Sequence, residues 1–389
     1  MNYARTVQQG VTYYDRNKAY AGYTLFTPGF GYGDVWLIDM TGRFVHHWRM
    51  PYPPGAFGRL LPNGNLLYLC RITGGPLDDF GGSAAKLLEV DWNGNTVWQY
   101  DDVYLSHDFC RMKNGNTMVI RWVAMPAEIT KKVTGGLCGT EREGVMWSDA
   151  LREITPEGKV VWEWIGYEHM DPDMDIICPL CGRARWANAN SVFVLDNGDV
   201  LLSQRFTNTL IIIDKKTGDI KWRWGQGEVA HPHDAQVLGN GNILAFDNGM
   251  HRNCVHDFQA TRSRIVEVNP ETKEIVWEYE DEVPMNFYSF ACSGCQRLPN
   301  GNTLICEAMM GRIFEVTASG ETVWEYVVPF YYKHPHLGRA NFIFRAYRYG
   351  LDSEALKNTD FDSTVAGKRV PAIGEKKRRA EDRIKALGY

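Results

Sequence analysis

Short apolar runs alternate with polar turns along most of the chain, and the arrangement recurs. In one unit an apolar pair, a polar turn with an acidic residue or Asn, and a second apolar stretch end on Trp. The first copy runs from Leu37 to Trp48 (LIDMTGRFVHHW) and the second is LLEVDWNGNTVWQY. LREITPEGKVVWEW, IIIDKKTGDIKWRW, IVEVNPETKEIVWEY and IFEVTASGETVWEY follow, which aligns Trp48, Trp98, Trp162, Trp222, Trp277 and Trp324. The steps between them are 50, 64, 60, 55 and 47 residues, the length of a four-stranded antiparallel blade with its loops. A second unit precedes every copy but the first: LPNGNLLYL, MKNGNTMVI, LDNGDVLLS, LGNGNILAF and LPNGNTLIC. Asn-Gly between two apolar runs predicts a tight hairpin with both turn residues at positive φ.

The pattern therefore predicts an all-β, six-bladed β-propeller of four-stranded antiparallel blades over residues 1–350, with a C-terminal extension over 351–389. Blade one lacks its Asn-Gly hairpin, and Asn341 to Tyr349 (NFIFRAYRY) reads as a strand, so this run is expected to return as the missing inner strand. The extension carries KKRRAEDRIK, read as a short solvated helix.

Composition narrows the class without changing this picture. Of 389 residues 44% are hydrophobic, 13% aromatic and 23% charged, which excludes a disordered chain and a small disulfide-stapled domain. With 42 Lys plus Arg against 47 Asp plus Glu, the formal charge of −5 gives no support to a nucleic-acid or acidic-membrane surface. The expected partner is a small aromatic or anionic molecule. No run of 18 apolar residues exists and the first residues hold no apolar stretch of signal-peptide length, so a cytoplasmic location is expected. Nine cysteines cannot all pair within one chain, and free thiols are the default.

Equal offsets from the repeated turn single out the residues of one channel mouth. Seven residues before each turn Asn lie Ala56, His107, Asn190, His233 and Ser293; eight after lie Arg71, Trp122, Arg205, Asn248 and Ala308. Two histidines at equivalent positions, each followed by Asp (Asp108 and Asp234), with His231, Arg71 and Arg205, make a His-rich cationic rim suited to an anionic leaving group. Cys178-x-x-Cys181 and Cys292-x-x-Cys295 fall in loops on the same face; they are read as ordinary thiols, with a four-sulfur zinc site or a redox pair as the alternatives, and no other cofactor is expected. Repeated Trp also occurs in quinone-binding propellers, but stacking blade on blade needs no cofactor. Asp171, Asp173 and Asp175 are spaced like part of a calcium loop that lacks its Gly and Glu, and read as solvated.

From about residue 20 to 350 the chain resembles the arylsulfotransferase (ASST)-like propellers. The carriers are AGYTLFTP, SHDFCRMKNGN, NSVFVLDNGDVLLSQR, HPHDAQVLGNGNILAFDNG, QRLPNGNTLIC, GRIFEVTASGETVWEY and FIFRAYRY. The resemblance implies transfer of a sulfuryl group between phenols through a covalent histidine, with two more His and an Arg stabilising its oxygens. Residue by residue it places the nucleophile at His233, or His231 if the Pro shifts the register, the arginine at Arg205 and a further His at His107. The third family His falls on Asn188, which can donate a hydrogen bond but cannot carry a proton. Asn188, Asn190, Arg71, Asn248, Ser293 and His231 are then substrate-binding candidates. The alternatives on the same scaffold are a lyase or hydrolase, or a non-catalytic binding propeller.

Overall fold

The Asn-Gly hairpins form, with a different turn from the one expected. In each, the Gly N–H donates to the carbonyl three residues earlier, as Gly64 to Leu61 at 2.9 Å, and only the glycine has positive φ, between 85° and 91°. This is a type I turn followed by a left-handed glycine, one residue longer than the two-residue hairpin. Its first central position is held by Pro62, Lys113, Asp196, Gly239 and Pro299, and Pro is preorganised for it.

The computed structural model describes residues 8–252, 261–334 and 338–357, together with Thr359 and Phe361. Six antiparallel sheets follow one another as blades of a propeller. Their innermost strands are Ile343–Gly350, Pro54–Leu60, Leu105–Arg111, Ala189–Val194, His233–Val237 and Gly294–Arg297, for blades one to six. Blade one is closed as the sequence implies: Ile343–Gly350 pairs with Gly22–Pro28, Tyr347 opposite Leu25. Blade six has a fifth, outer strand, Gly10–Tyr14, on Thr322–Val327. The ring is thus joined at both chain ends. Of the C-terminal extension, Glu354–Leu356 forms a 3-10 turn with Ala355 and Leu356 buried, and the basic helix expected further on lies outside the described residues.

The six repeated tryptophans connect the blades. Each indole N–H donates to a backbone carbonyl of the next blade: Trp48 to Asp91, Trp98 to Pro156, Trp162 to Lys215, Trp222 to Pro270, Trp277 to Ala318, and Trp324 back to Met40. A second circuit runs beneath. The third-strand Glu89, Glu153, Glu267 and Glu315 accept from the turn asparagines Asn65, Asn116, Asn242 and Asn302 of their own blade. They also pair with Arg111, Lys215, Arg297 and Arg348 of the next blade. No helix among the described residues is long and apolar enough to cross a membrane.

Candidate active site

His107 and His233 start or nearly start their inner strands, where the ladder is irregular. Bulges fall between Val119 and Ile120 opposite one and between His233 and Gln236 at the other. His107 (φ 43°) and Asp234 (φ 53°) take left-handed backbone there, which turns the chain around the propeller axis. The rings of both histidines lie against Phe344 of the closing strand, at centroid distances of 6.3 and 6.5 Å. The two imidazoles therefore share one end of the axis.

Their Asp neighbours serve the fold. Asp108 Oδ2 accepts the Val192 N–H of blade four at 3.0 Å, and Asp234 Oδ2 accepts the Cys295 N–H of blade six at 2.9 Å. Arg345 lies between them, donating from Nη1 to Asp108 at 2.8 Å and from Nη2 to the Asn190 carbonyl at 2.7 Å, with Nε 3.3 Å from Asp234. Arg345 is thus a buried pin through blades one, three, four and five. The tight fit explains Gly294, where a Cβ would stand 2.3 Å from an Asp234 oxygen. Gly82 has the same role over His107: a Cβ would be 2.2 Å from Nε2.

The chemistry of His233 is set by Nδ1, which lies 2.7 Å from Asn248 Oδ1 and 3.1 Å from the His231 carbonyl. The carbonyl can only accept. Asn248 Nδ2 donates to the Ser289 and Cys292 carbonyls, so its Oδ1 faces the ring as an acceptor. Nδ1 must carry the proton, and Nε2 keeps its lone pair. Burial, followed by the repulsion of Arg205, holds the His233 imidazole well below its usual pKa, so it is neutral. His107 is held neutral by burial and by Arg185, Arg345 and Arg205, with Nδ1 2.8 Å from Ser106 Oγ.

Two guanidiniums lie beside the histidines with little compensation. Among the described residues Arg205 reaches only Met250 Sδ at 3.4 Å and the Phe290 carbonyl at 3.5 Å, and it stacks over Phe206. Arg185, which sequence reasoning missed, bonds the Gly81 carbonyl and Asn188 Oδ1 and lies over the Phe80 and Phe206 rings. Desolvation and then Arg205 lower it to about 10. Two cations that repel each other in a partly buried space call for an anion between them. The sequence signal for Arg185 was weak because it lies in the irregular RARWANAN segment, outside the repeat register.

The remaining candidates divide. Asn190 donates to the Pro232 carbonyl and its buried Oδ1 has no partner; Asn188 is turned toward Arg185. Ser293 is a loop tie to Ser289 and to the Ala308 N–H, and Arg71 is engaged by Asp78. The ring is more enclosed than an open mouth: His107 is 5% and His233 2% exposed, whereas Arg185 and Arg205 are partly exposed. Asp149, also missed, is a buried carboxyl beside this group that accepts the Ala189 N–H at 2.8 Å. Desolvation raises it to about 7.

The four-sulfur zinc alternative is not assembled among the described residues. Neither C-x-x-C pair lies wholly in a loop as expected: Cys178 and Cys181 are on the short strand Ile177–Gly182 and Cys295 is on the inner strand Gly294–Arg297, and Cys178 and Cys181 instead face His231 and His251. The neighbouring Cys181, and then His231, draw the Cys178 thiol down, while Cys178 and burial push the Cys181 thiol up. His231 thus faces sulfur, and burial lowers it to about 4. Asp175, expected in a solvated loop, is buried and paired with Arg223 at 3.0 Å.

The arylsulfotransferase (ASST) family model matches residues 85–328, well over half of the chain. The chain belongs to the arylsulfotransferase (ASST) family. The matched span contains His107, Arg185, Arg205, His231 and His233, and ends before the closing strand that supplies Arg345. No curated protein matches the arylsulfotransferase-family chain. Among solved structures, a protein of unknown function from Bacteroides caccae is similar over 84% of this chain and 98% of its own, at 14% identity and a TM-score of 0.54, which is a likeness of fold alone. A streptogramin B lyase covers 83% of each chain at 13% identity and a TM-score of 0.45. The hydrazine synthase of Kuenenia stuttgartiensis covers 74% of this chain and 71% of its own at 12% identity and 0.44. The last two scores are too low to bear on function.

Proposed function

We propose that the protein transfers a sulfuryl group from an aryl sulfate to a phenolic acceptor through a sulfohistidine at His233. The observation that carries this reading is the fixed tautomer: Nδ1–H is held by the His231 carbonyl and Asn248 Oδ1, so Nε2 is an unprotonated nucleophile. In the first step Nε2 attacks sulfur, the N–S bond forms, and the S–O bond breaks with its electron pair leaving on the phenolate. No proton leaves the imidazole, so the adduct ring carries a positive charge and is itself a good leaving group. In the second step the acceptor phenol oxygen attacks sulfur, the N–S bond breaks with its electron pair returning to Nε2, and neutral His233 is restored while the phenol proton passes to solvent water.

Arg205 and Arg185 supply the charge that the sulfuryl oxygens and departing phenolate need. Both are more exposed than the histidines, which favours approach of the anionic end past the guanidiniums. Asn188 cannot protonate the leaving group. Asp149, a carboxyl of raised pKa that interacts with Arg185, is a candidate for that role, and a phenolate of low pKa needs no proton at all. The test is p-nitrophenyl sulfate turnover with and without added phenol. Nitrophenolate release that rises with phenol, with phenyl sulfate formed in equal amount, is the expected result. Release at the same rate without any acceptor would assign the site to hydrolysis, and no release to neither.

A further inference from the structure

Cys178, Cys181, His231 and His251 come from three separate segments. The cysteines lie on the short strand Ile177–Gly182, His231 stands two residues before the nucleophile, and His251 follows the end of Ile243–Asp247. One ligand atom from each lies within 4.8 Å of all the others. Cys178 Sγ is 3.4 Å from His251 Nδ1, and Cys181 Sγ is 3.4 Å from His231 Nε2 and 3.7 Å from His251 Nδ1. Metal–sulfur bonds of about 2.3 Å and metal–nitrogen bonds of about 2.0 Å in a tetrahedron require S···N edges of about 3.5 Å. These three S···N distances lie within about 0.2 Å of that value. Among the described residues no other group of His, Cys, Asp and Glu converges in this way.

From this convergence we propose that Cys178, Cys181, His231 and His251 form a four-coordinate zinc site. Two thiolates and two imidazoles are a soft donor set suited to Zn2+, and four protein ligands make the site closed and structural. Two thiolates cancel the metal charge, so Arg205 keeps its own. The site also has a positioning consequence, which rests on the transfer reading above. His231 supplies the carbonyl that holds His233 Nδ1, and His251 is three residues from Asn248, the other holder. The metal would tie both holders to the Cys178 loop.

The test is elemental analysis of the full-length chain, purified without a metal-affinity tag, and the optical spectrum of the same chain loaded with Co2+. About one zinc per chain is expected, with intense d–d and thiolate-to-cobalt bands of a tetrahedral two-sulfur, two-nitrogen site. Cys178→Ser and His251→Ala should each lower bound zinc to below about one-tenth per chain, while Cys292→Ser and Cys295→Ser retain it. The wild-type cobalt spectrum needs no variant, so it decides the ligand set even where a variant fails to fold. A wild type that neither carries nor takes up zinc or cobalt overturns the proposal. So does a Cys178–Cys181 disulfide in the wild type, or metal loss that follows Cys292 instead of Cys178. None of these readouts depends on aryl-sulfate turnover.

Discussion

At His233 two acceptors, the His231 carbonyl and Asn248 Oδ1, leave a neutral ring one free nitrogen. His233→Ala should abolish aryl-sulfate turnover with the melting temperature kept within a few degrees, because the variant lacks the nitrogen proposed to bond sulfur. Arg205→Ala should slow turnover by about 10² to 10³, since Arg185 still shares the developing charge. A His233→Ala variant with undiminished activity would remove the nucleophile from the account. Asp149 makes a separate, thermodynamic prediction. Its carboxyl stays protonated in the fold to about pH 7 but ionises near its ordinary value of ~3.9 when unfolded. Between those values the folded state binds more protons, so this group takes stability away as pH rises. Asp149→Asn should therefore raise the melting temperature, relative to wild type, more at about pH 8 than at about pH 5. A difference that is the same at both pH values would contradict the raised pKa.

At the scale of strands and turns, the inner-strand irregularities set the site, and close approach is what they require. Gly294→Ala puts a methyl against Asp234 and the Arg345 side chain, and the strain should cost about 1–3 kcal/mol in urea unfolding. A loss under about 0.5 kcal/mol would mean that the inner strand yields freely. Much of this level was legible in the sequence. Six Trp and five Asn-Gly hairpins fixed the blade number and the returning strand, because each blade repeats the same hydrogen bonds to its neighbour. Equal offsets from the turns also brought His107 and His233 together, since both lie the same number of residues before the equivalent turns of their own blades. The turn type was not legible, because Asn-Gly is compatible with two- and three-residue loops, and the position before it decides. Nor were Arg185, Asp149 and His251, which sit in connections or at strand ends without repeat equivalents. Gly10–Tyr14 was missed because a fifth strand on one blade has no counterpart in the other five.

For the whole molecule, closure is the property that links stability to function. Arg345 arrives with the last strand and is the buried partner of Asp108 and Asp234, the residues that follow the two site histidines. Arg345→Met leaves those carboxylates without their cation and should cost about 3–5 kcal/mol, and lower activity by loosening both histidine strands together. Unfolding that remains as cooperative and as stable as wild type would show that the blades hold without this pin. The two-step transfer proposed for this centre would draw on the same closed, cationic arrangement: one nucleophile, two guanidiniums, and no need for donor and acceptor phenols to be present together. The most direct measurement is mass spectrometry of the protein quenched after mixing with p-nitrophenyl sulfate in the absence of acceptor, under alkaline conditions that preserve N-sulfonation. The account predicts a gain of one sulfuryl group, about 80 Da, on the peptide containing His233, discharged when phenol is added. Steady turnover with no such adduct, or with the adduct on another residue, would contradict it.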